Sequence, residues 1–417
     1  MLPERIPMSS RSPLRGAAAA GLALLLALAA DAAAPAAAQD AAGPVRIGVL
    51  SDMSGPFADQ AGTGSVVAAQ LAAEDFAKEA GDLKVEILSA DHQNKPDIGL
   101  GIARRWLDQE GVSTIVDLPN SAVALAVANL MRERHRVALA SSSMTSDLTG
   151  KACAPTTVQW VSDTWAQGSA TARAITGRGL KSWYFLTVDY ALGHALERDA
   201  TAALKASGGS VKGSTKHPLN AGDFASPLLA AQGSGAQVLA LADTGADMIN
   251  AVKQAAEFGL MPDMRIAALF VQLSDIHALG LKAAQGLQFA SGFYWDRTEA
   301  TRAFGKRFGE RMGGRMPTEN HAGVYSSTLA YLRGVRDAGT IEGEKVLAVL
   351  RDKPINDPLF GPTTIRQDGR AVHDLFLFEV KTPAESKGPY DYYKLLATVP
   401  GDQAFRPMAE GGCPLVK

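Results

Sequence analysis

Residues Val45–Gly62 read VRIGVLSDMSGPFADQAG. Val45, Ile47, Val49 and Leu50 form a short β-prone run. The twelve residues from Ser51 to Gly62 are mostly small, polar or turn-forming. Helical spacing follows over 63–80, with Val67 and Leu71, and Ala68, Ala72 and Phe76, recurring on one side. A strand that enters a helix through a sharp turn is the opening unit of a parallel α/β sheet. The turn has two possible purposes. It can reverse the chain, or it can aim backbone N–H groups at something bound.

The same rhythm continues. Strands are expected at 84–90, 113–118 and 136–140, and helices at 96–110 and 121–134. The alternation restarts with strands at 182–188, 209–217, 236–242 and 265–270, separated by helices at 193–206, 222–232 and 246–258. Helices over 298–312 and 320–338, and a short one around EKVLAVLRD, complete the pattern. Two runs of strand–helix alternation predict an α/β fold of two doubly wound parallel-sheet lobes. No sequence repeat relates the runs beyond this rhythm, and no long flexible linker separates them.

The N-terminus carries Arg11 and Arg15, then GLALLLALAA, then APAAAQ. That order fits a secretory signal peptide over 1–38, with Ala36 and Ala38 as the small residues before cleavage and Gln39 as the mature start. An uncleaved membrane anchor is the alternative. Without residues 1–38, which hold Arg5, Arg11, Arg15, Glu4 and Asp31, 38 basic residues face 41 acidic ones. A net charge of −3 is no footprint for nucleic acid. The only cysteines are Cys153 and Cys413. An even count in an exported chain points to a disulfide, with two unrelated free thiols as the alternative. No Cys/His spacing suggests a metal site, and no cofactor is implied.

Open α/β sheets bind ligands beyond the carboxyl ends of their strands. The loops there are SDMSGPFADQAG, PNSAV (119–123), SSSMTSD (141–147), DYALGH (189–194) and DTGAD (243–247). Each serine or asparagine can simply cap the next helix. Several such loops converging on one point would make a site instead. Enzyme motifs are missing: there is no G-x-G-x-x-G after Val49, no G-x-x-x-x-G-K-[ST] and no G-x-S-x-G elbow around Ser141–Ser143. His92, in ADHQNKPD, reads as a structural residue beside a turn.

VRIGVLSDMSGPFADQAG, ADHQNKPD, GVSTIVDLPNSAVALAV, VALASSSMTSDLTG, DYALGHAL and GLKAAQGLQF occur in an order and spacing that resembles the periplasmic solute-binding proteins of branched-chain amino acid-type ABC importers. AESKGPYDYYKLLATVPGDQAF resembles a long-tailed branch of that family. The resemblance implies a non-enzymatic, periplasmic, monomeric protein of the type I periplasmic binding fold. It implies three crossing segments, lobes at 39–160 with 290–360 and at 161–289 with 361–400, and a tail at 401–417. It also implies a small carboxylate-bearing solute trapped between the lobes and a membrane permease as partner; a sensing module coupled to a receptor is the alternative. Carried over residue by residue, the ligand carboxylate falls to Asn120, Ser121, Ser142 and Ser143, with Gln60 at the rim and Tyr190, Asp243 and Thr244 from the second lobe. Amino-acid binders of this family place an acidic residue after the last strand of that lobe. Here the position falls near Leu269 and Phe270. Either Asp189 or Asp243 meets a ligand ammonium, or the ligand has none and Phe270 faces an apolar group.

Overall fold

The computed structural model describes residues 43–260 and 263–416, so the signal-peptide reading lies outside the described residues. The first lobe begins with β1 (Val45–Ser51), α1 (Gly62–Ala77), β2 (Val85–Asp91), α2 (Pro96–Asp108), β3 (Val112–Asp117), α3 (Ser121–Glu133), β4 (Val137–Ala140) and β5 (Thr157–Gln159). The sheet order is β2-β1-β3-β4-β5, and every pair is parallel. β3 and β4 are buried along their whole length, as strands covered on both faces must be. Side chains alternate between two cores. Ile47, Val49 and Val116 face one containing Phe76 and Tyr331, while Leu50 and Ile115 face the other, with Trp106 and Met131.

The second lobe runs through α4 (Thr164–Thr176), β6 (Ser182–Val188), α5 (Ala191–Ala206), β7 (Ser210–His217), α6 (Ala225–Gly233), β8 (Val238–Ala242), α7 (Gly245–Glu257) and β9 (Arg265–Ala268). Its parallel sheet has the order β7-β6-β8-β9. α8 (Leu273–Leu279), α9 (Leu281–Ala284) and β10 (Gln288–Ser291) follow. The chain returns to the first lobe with α10 (Glu299–Arg311), α11 (Glu319–Ala338) and α12 (Gly343–Asp352), whose apolar faces join the Phe76 core. β11 (Ile355–Asp357), β12 (Gly361–Ile365) and β13 (Ala371–Val372) form a small antiparallel sheet. β14 (Leu375–Val380) and β15 (Tyr393–Val399) join β10 in another, and Phe289, Phe376, Phe378 and Tyr393 pack into the second lobe's core.

Three segments therefore cross between the lobes: β5 to α4, β10 to α10, and β13 to β14. One buried acid and one buried base tie them together. The Glu319 carboxylate accepts from Ser162 N (3.0 Å) and Ser162 Oγ (3.1 Å) on the first crossing, and from Ser291 Oγ (2.9 Å) and Gly292 N (3.2 Å) on the second. Arg370, just before β13 and the third, donates to the carbonyls of Gln159, at the end of β5, and Val161 and reaches Asp163 Oδ2 at 3.3 Å, both on the first. Burial lowers its guanidinium to about 10. Four acceptors on that fully buried group, counting the Ala371 carbonyl, keep an otherwise costly charge satisfied.

Cys153 and Cys413 are joined by a disulfide, with Cα atoms 5.6 Å apart. The tail also has an apolar anchor that its sequence hardly advertises. Phe405 is buried against Ala166, Ala290 and Leu375, under the Arg370 guanidinium at 4.6 Å. Replacing both cysteines by serine is expected to cost about 2–4 kcal/mol, below the ~5 kcal/mol that chain entropy allows for so long a loop. Guanidinium denaturation of the two proteins measures it. A change under about 0.5 kcal/mol would show that Phe405 alone seats the tail.

Candidate ligand cleft

A 2-1-3-4-5 sheet has a topological switch point between β1 and β3, and ligands bind there. The second lobe repeats the pattern, with its switch point between β6 and β8. The loops at the first point are Asp52–Ala61 and Leu118–Asn120; at the second they are Asp189–Tyr190 and Asp243–Thr244. The two sets meet. Gln60 Nε2, on the first lobe, donates to Thr244 Oγ1 at 2.9 Å and to both Asp275 oxygens at 2.9 and 2.8 Å on the second. The Phe57 and Tyr190 rings lie 6.4 Å apart. Gly245 has φ +62°, and a Cβ there would stand 2.6 Å from the Pro56 carbonyl oxygen, so only glycine lets these loops touch.

The opening loop is built for folding. Asp52 is buried and accepts from Gly55 N (2.7 Å), Phe57 N (2.9 Å) and Asn94 Nδ2 (2.8 Å). Ser51 Oγ accepts from Gly62 N at 2.9 Å. The small residues thus close a turn on one carboxylate and bring Gln60 to the lobe boundary. His92 is buried beside it, and its Nδ1 accepts from Asn94 N at 3.0 Å. Burial lowers its imidazole to about 4, so it is neutral and structural.

The other expected residues divide. Asn120 is an N-cap: Oδ1 accepts from Ala122 N and Val123 N at 3.0 and 3.1 Å. Ser142 Oγ donates to Asp117 Oδ1, and its N–H donates to the Asp117 carbonyl at 3.0 Å. Phe270 is packed in an apolar cluster with Leu192, Leu196 and Leu269. Asp189 lies at the surface, paired with His194 (2.7 Å) and Lys216 (3.1 Å). By contrast, Ser121 Oγ, Ser143 Oγ, the Tyr190 hydroxyl and both Asp243 oxygens are buried without a hydrogen-bond partner among the described residues. Buried polar groups in folded proteins nearly always have partners, so these atoms are candidates for contact with a bound solute.

Three groups that sequence reasoning passed over stand with them. Asp117, at the end of β3, is fully buried with Oδ2 unpaired, and φ values of +85° at Asp117 and +60° at Leu118 put both in the left-handed region. Burial pushes its carboxyl up to about 7, against the hydrogen bonds of Ser142, Ser51 and Ser65. His217, ending β7, lies 3.4 Å from Asp243 Oδ2, close enough for charge attraction but not aligned as a hydrogen bond. Its Nδ1 faces the Pro218 carbonyl at 3.0 Å, so Nδ1 carries a proton and Nε2 turns toward the acid. Burial raises the Asp243 carboxyl to about 6; His217 is held down by its own burial, but Asp243 more than offsets that and leaves it above its usual value. Asp275, fully buried and raised to about 7 by burial, is the acid that receives Gln60. An acid ending a strand was a readable signal for Asp117; nothing local announces the other two.

The described residues contain no group of three or more His, Cys, Asp or Glu able to hold a metal, and no helix long and apolar enough to cross a membrane. Residues 44–389 match the family model described as Periplasmic binding protein. The chain belongs to the periplasmic binding protein family. The binding protein is similar to a solved periplasmic binding protein from Burkholderia mallei, with 43% identity, 90% of this chain and 99% of that one covered, and a TM-score of 0.87. It is also similar to a branched chain amino acid ABC transporter periplasmic ligand-binding protein from Burkholderia xenovorans LB400, with 38% identity, 89% and 100% coverage and a TM-score of 0.78. Among curated relatives, the Leu/Ile/Val-binding protein homolog 6 of Brucella melitensis is 27% identical over 244 residues, which are 57% of this chain and 62% of that protein. The match thus spans less than two thirds of the curated relative's length. The family is one of extracytoplasmic solute-binding proteins, not enzymes, and the two-lobed α/β architecture is that of its type I fold.

Proposed function

We propose that the protein is the extracytoplasmic substrate-binding component of an ABC importer and that it traps a small amino-acid-type solute between its lobes. The observation that carries this reading is the set of buried polar atoms without hydrogen bonds in loops that follow the strands of both lobes, Ser121 and Ser143 in the first and Tyr190 and Asp243 in the second. Ser121 and Ser143, on the first lobe, offer two hydroxyls to a carboxylate. Asp243 and Tyr190, on the second, offer a carboxylate and a hydroxyl to an ammonium. Asp243 is the acid to choose over Asp189, which is exposed and already paired. With Phe270 in the core, the anchoring of the solute rests on its two polar ends. Contacts from both lobes favour the closed state, so binding shifts the population toward the form that a permease would receive.

A thermal-shift panel of amino acids against the same carbon skeletons without the amine tests the reading. A solute at a hundredfold excess over Kd stabilises the protein by about 2.7 kcal/mol. Amino acids are expected to give the larger shifts. A response to the amine-free acids alone would remove the ammonium; no response to any member would remove the amino-acid class. Ser143→Ala should then weaken the best solute about ten- to hundredfold, since a hydrogen bond to a charged group contributes about 1.5–3 kcal/mol. Calorimetric titration reads it, and an unchanged Kd would take Ser143 out of the site.

A further inference from the structure

A cavity opens at the outer end of the opening loop, beside Ala58, Asp59 and Ala61, and none of Ser121, Ser143, Tyr190 and Asp243 lines it. It has a volume of about 160 Å³ and is enclosed by both lobes: the end of the opening loop, α10 and the turn after it from the first, and α8 with Tyr390 from the second. An engineered apolar cavity of about 150 Å³ holds one benzene ring, so the space here is that of a single small ring or a branched chain. Its inner wall is apolar and adaptable, formed by Phe308, Met312, Met316 and the flat face of His321. His321 presents that face as a neutral group. Its Nε2 donates to the Ala61 carbonyl at 2.8 Å, Nδ1 accepts from Thr318 N at 3.0 Å, and burial lowers it to about 4.

The mouth is polar and carries one strong cation. Arg315 is half-exposed; Nη1 holds Asp59 at 3.1 Å and Nε the Met312 carbonyl at 3.3 Å, while Nη2 has no acceptor among the described residues. The Ser274 hydroxyl lines the same cavity, buried and without a partner. The outer wall is the Tyr390 ring, stacked on His277 with centroids 4.4 Å apart. Tyr390 has φ +65°, an uncommon conformation for a bulky residue, and its carbonyl is gripped by Tyr294 Oη and Trp295 Nε1, both at 2.9 Å. Both donors sit on the second crossing, so the wall is fixed to the hinge.

We infer that this cavity is a second ligand site, for a small single-ring aromatic carboxylate: the ring lies among Phe308, Met312 and Met316, and the carboxylate takes Arg315 Nη2 and the Ser274 hydroxyl. An occupant touches both lobes, so it favours the closed form and tightens the hold on whatever occupies the cleft. By linkage the cleft solute tightens this site equally. The inference does not depend on the identity of the cleft solute.

The probe is 4-bromobenzoate. Crystals soaked in it are expected to show a bromine anomalous peak among Phe308, Met312 and Met316. Calorimetry in solution should give a Kd that Arg315→Met weakens at least tenfold, because a charged partner is lost from a half-exposed position that the fold does not need. Asp243→Asn should leave this Kd within threefold. A peak only between the switch points, no peak, a peak without heat in solution, or equal affinity in Arg315→Met would each overturn the site.

Discussion

Replacing Asp243 by Asn is expected to weaken binding of the amino acid that gives the largest thermal shift by about a hundred- to thousandfold. Asp243 is fully buried at the end of β8, and neither oxygen is hydrogen-bonded. Removing one partner of a buried, hydrogen-bonded ion pair costs about 3–5 kcal/mol, and each 1.4 kcal/mol is a factor of ten in affinity. The ligand-free variant should melt close to the parent, because the buried carboxylate has no aligned hydrogen bond and its attraction to His217 at 3.4 Å is set against the cost of burying it. Lost affinity without lost stability is the signature of a ligand contact. An affinity change below threefold would remove Asp243 from the site, and a large drop in melting temperature would make it a structural acid.

The pH dependence follows from the same group. Only the ionised carboxylate pairs with an ammonium, and burial raises Asp243 to about 6. Affinity in the parent should therefore fall below pH 6, approaching tenfold per unit, while Asp243→Asn shows no such limb. His217, at 3.4 Å, opposes the effect of burial and holds the Asp243 carboxyl lower than burial alone would. Titrations at pH 5, 6, 7 and 8 resolve it.

Much of this molecule is legible because parallel strands covered on both faces leave apolar runs of fixed length. β1, β3, β6 and β8 could be placed within two residues for that reason. α4 was not. Its sequence, TWAQGSATARAIT, has no apolar stripe, since Gly168 must sit against the α5 backbone: a Cβ there would be 3.0 Å from Ala200 N. The stripe is missing because the contact is backbone to backbone. The small antiparallel strands escaped too, since β11 and β13 are only three and two residues long and acquire meaning from their partners. At the cleft, the loops after strands together with the family resemblance put forward Ser121, Ser143, Tyr190 and Asp243, whose oxygens have no hydrogen-bond partner among the described residues. It could not tell a free hydroxyl from a spent one. Ser142 and Ser143 are neighbours of one type, and only Asp117, 25 residues earlier, decides that the first is occupied. Asp275 is more distant still from its partner Gln60, 215 residues away, so no local pattern could have joined them.

Asp117→Asn is expected to stabilise the ligand-free protein at alkaline pH by up to about 4 kcal/mol, and the size of the gain should depend on pH in a set direction. In the folded protein burial raises this carboxyl from 3.8 to about 7. Between those two values the native state holds a proton that the unfolded chain has released. Stability in the parent therefore falls as pH rises through that window, by about 1.4 kcal/mol per unit, and levels off above pH 7. Asparagine has the same shape and does not titrate, and Ser142 can still donate to its oxygen. The difference in unfolding free energy between variant and parent should thus be smallest near pH 4 and grow steadily to pH 7. Asp243 and Asp275 are present in both proteins and cancel in that difference. Urea denaturation at four pH values measures it, and parallel curves would show that Asp117 is not protonated in the native state. A chain that keeps so costly a carboxyl in a left-handed backbone position retains strain at its site. The hypothesis that this strain serves binding has its own reading: near pH 7 Asp117 still carries part of its proton, and its unpaired Oδ2 can donate that proton to a solute carboxylate beside Ser121 and Ser143. Asparagine puts an Nδ2–H donor in the place of Oδ2 at every pH, so the parent's affinity for the amino acid should fall above pH 7 relative to that of Asp117→Asn, and a constant affinity ratio across pH 6–9 would leave the strained acid without that use.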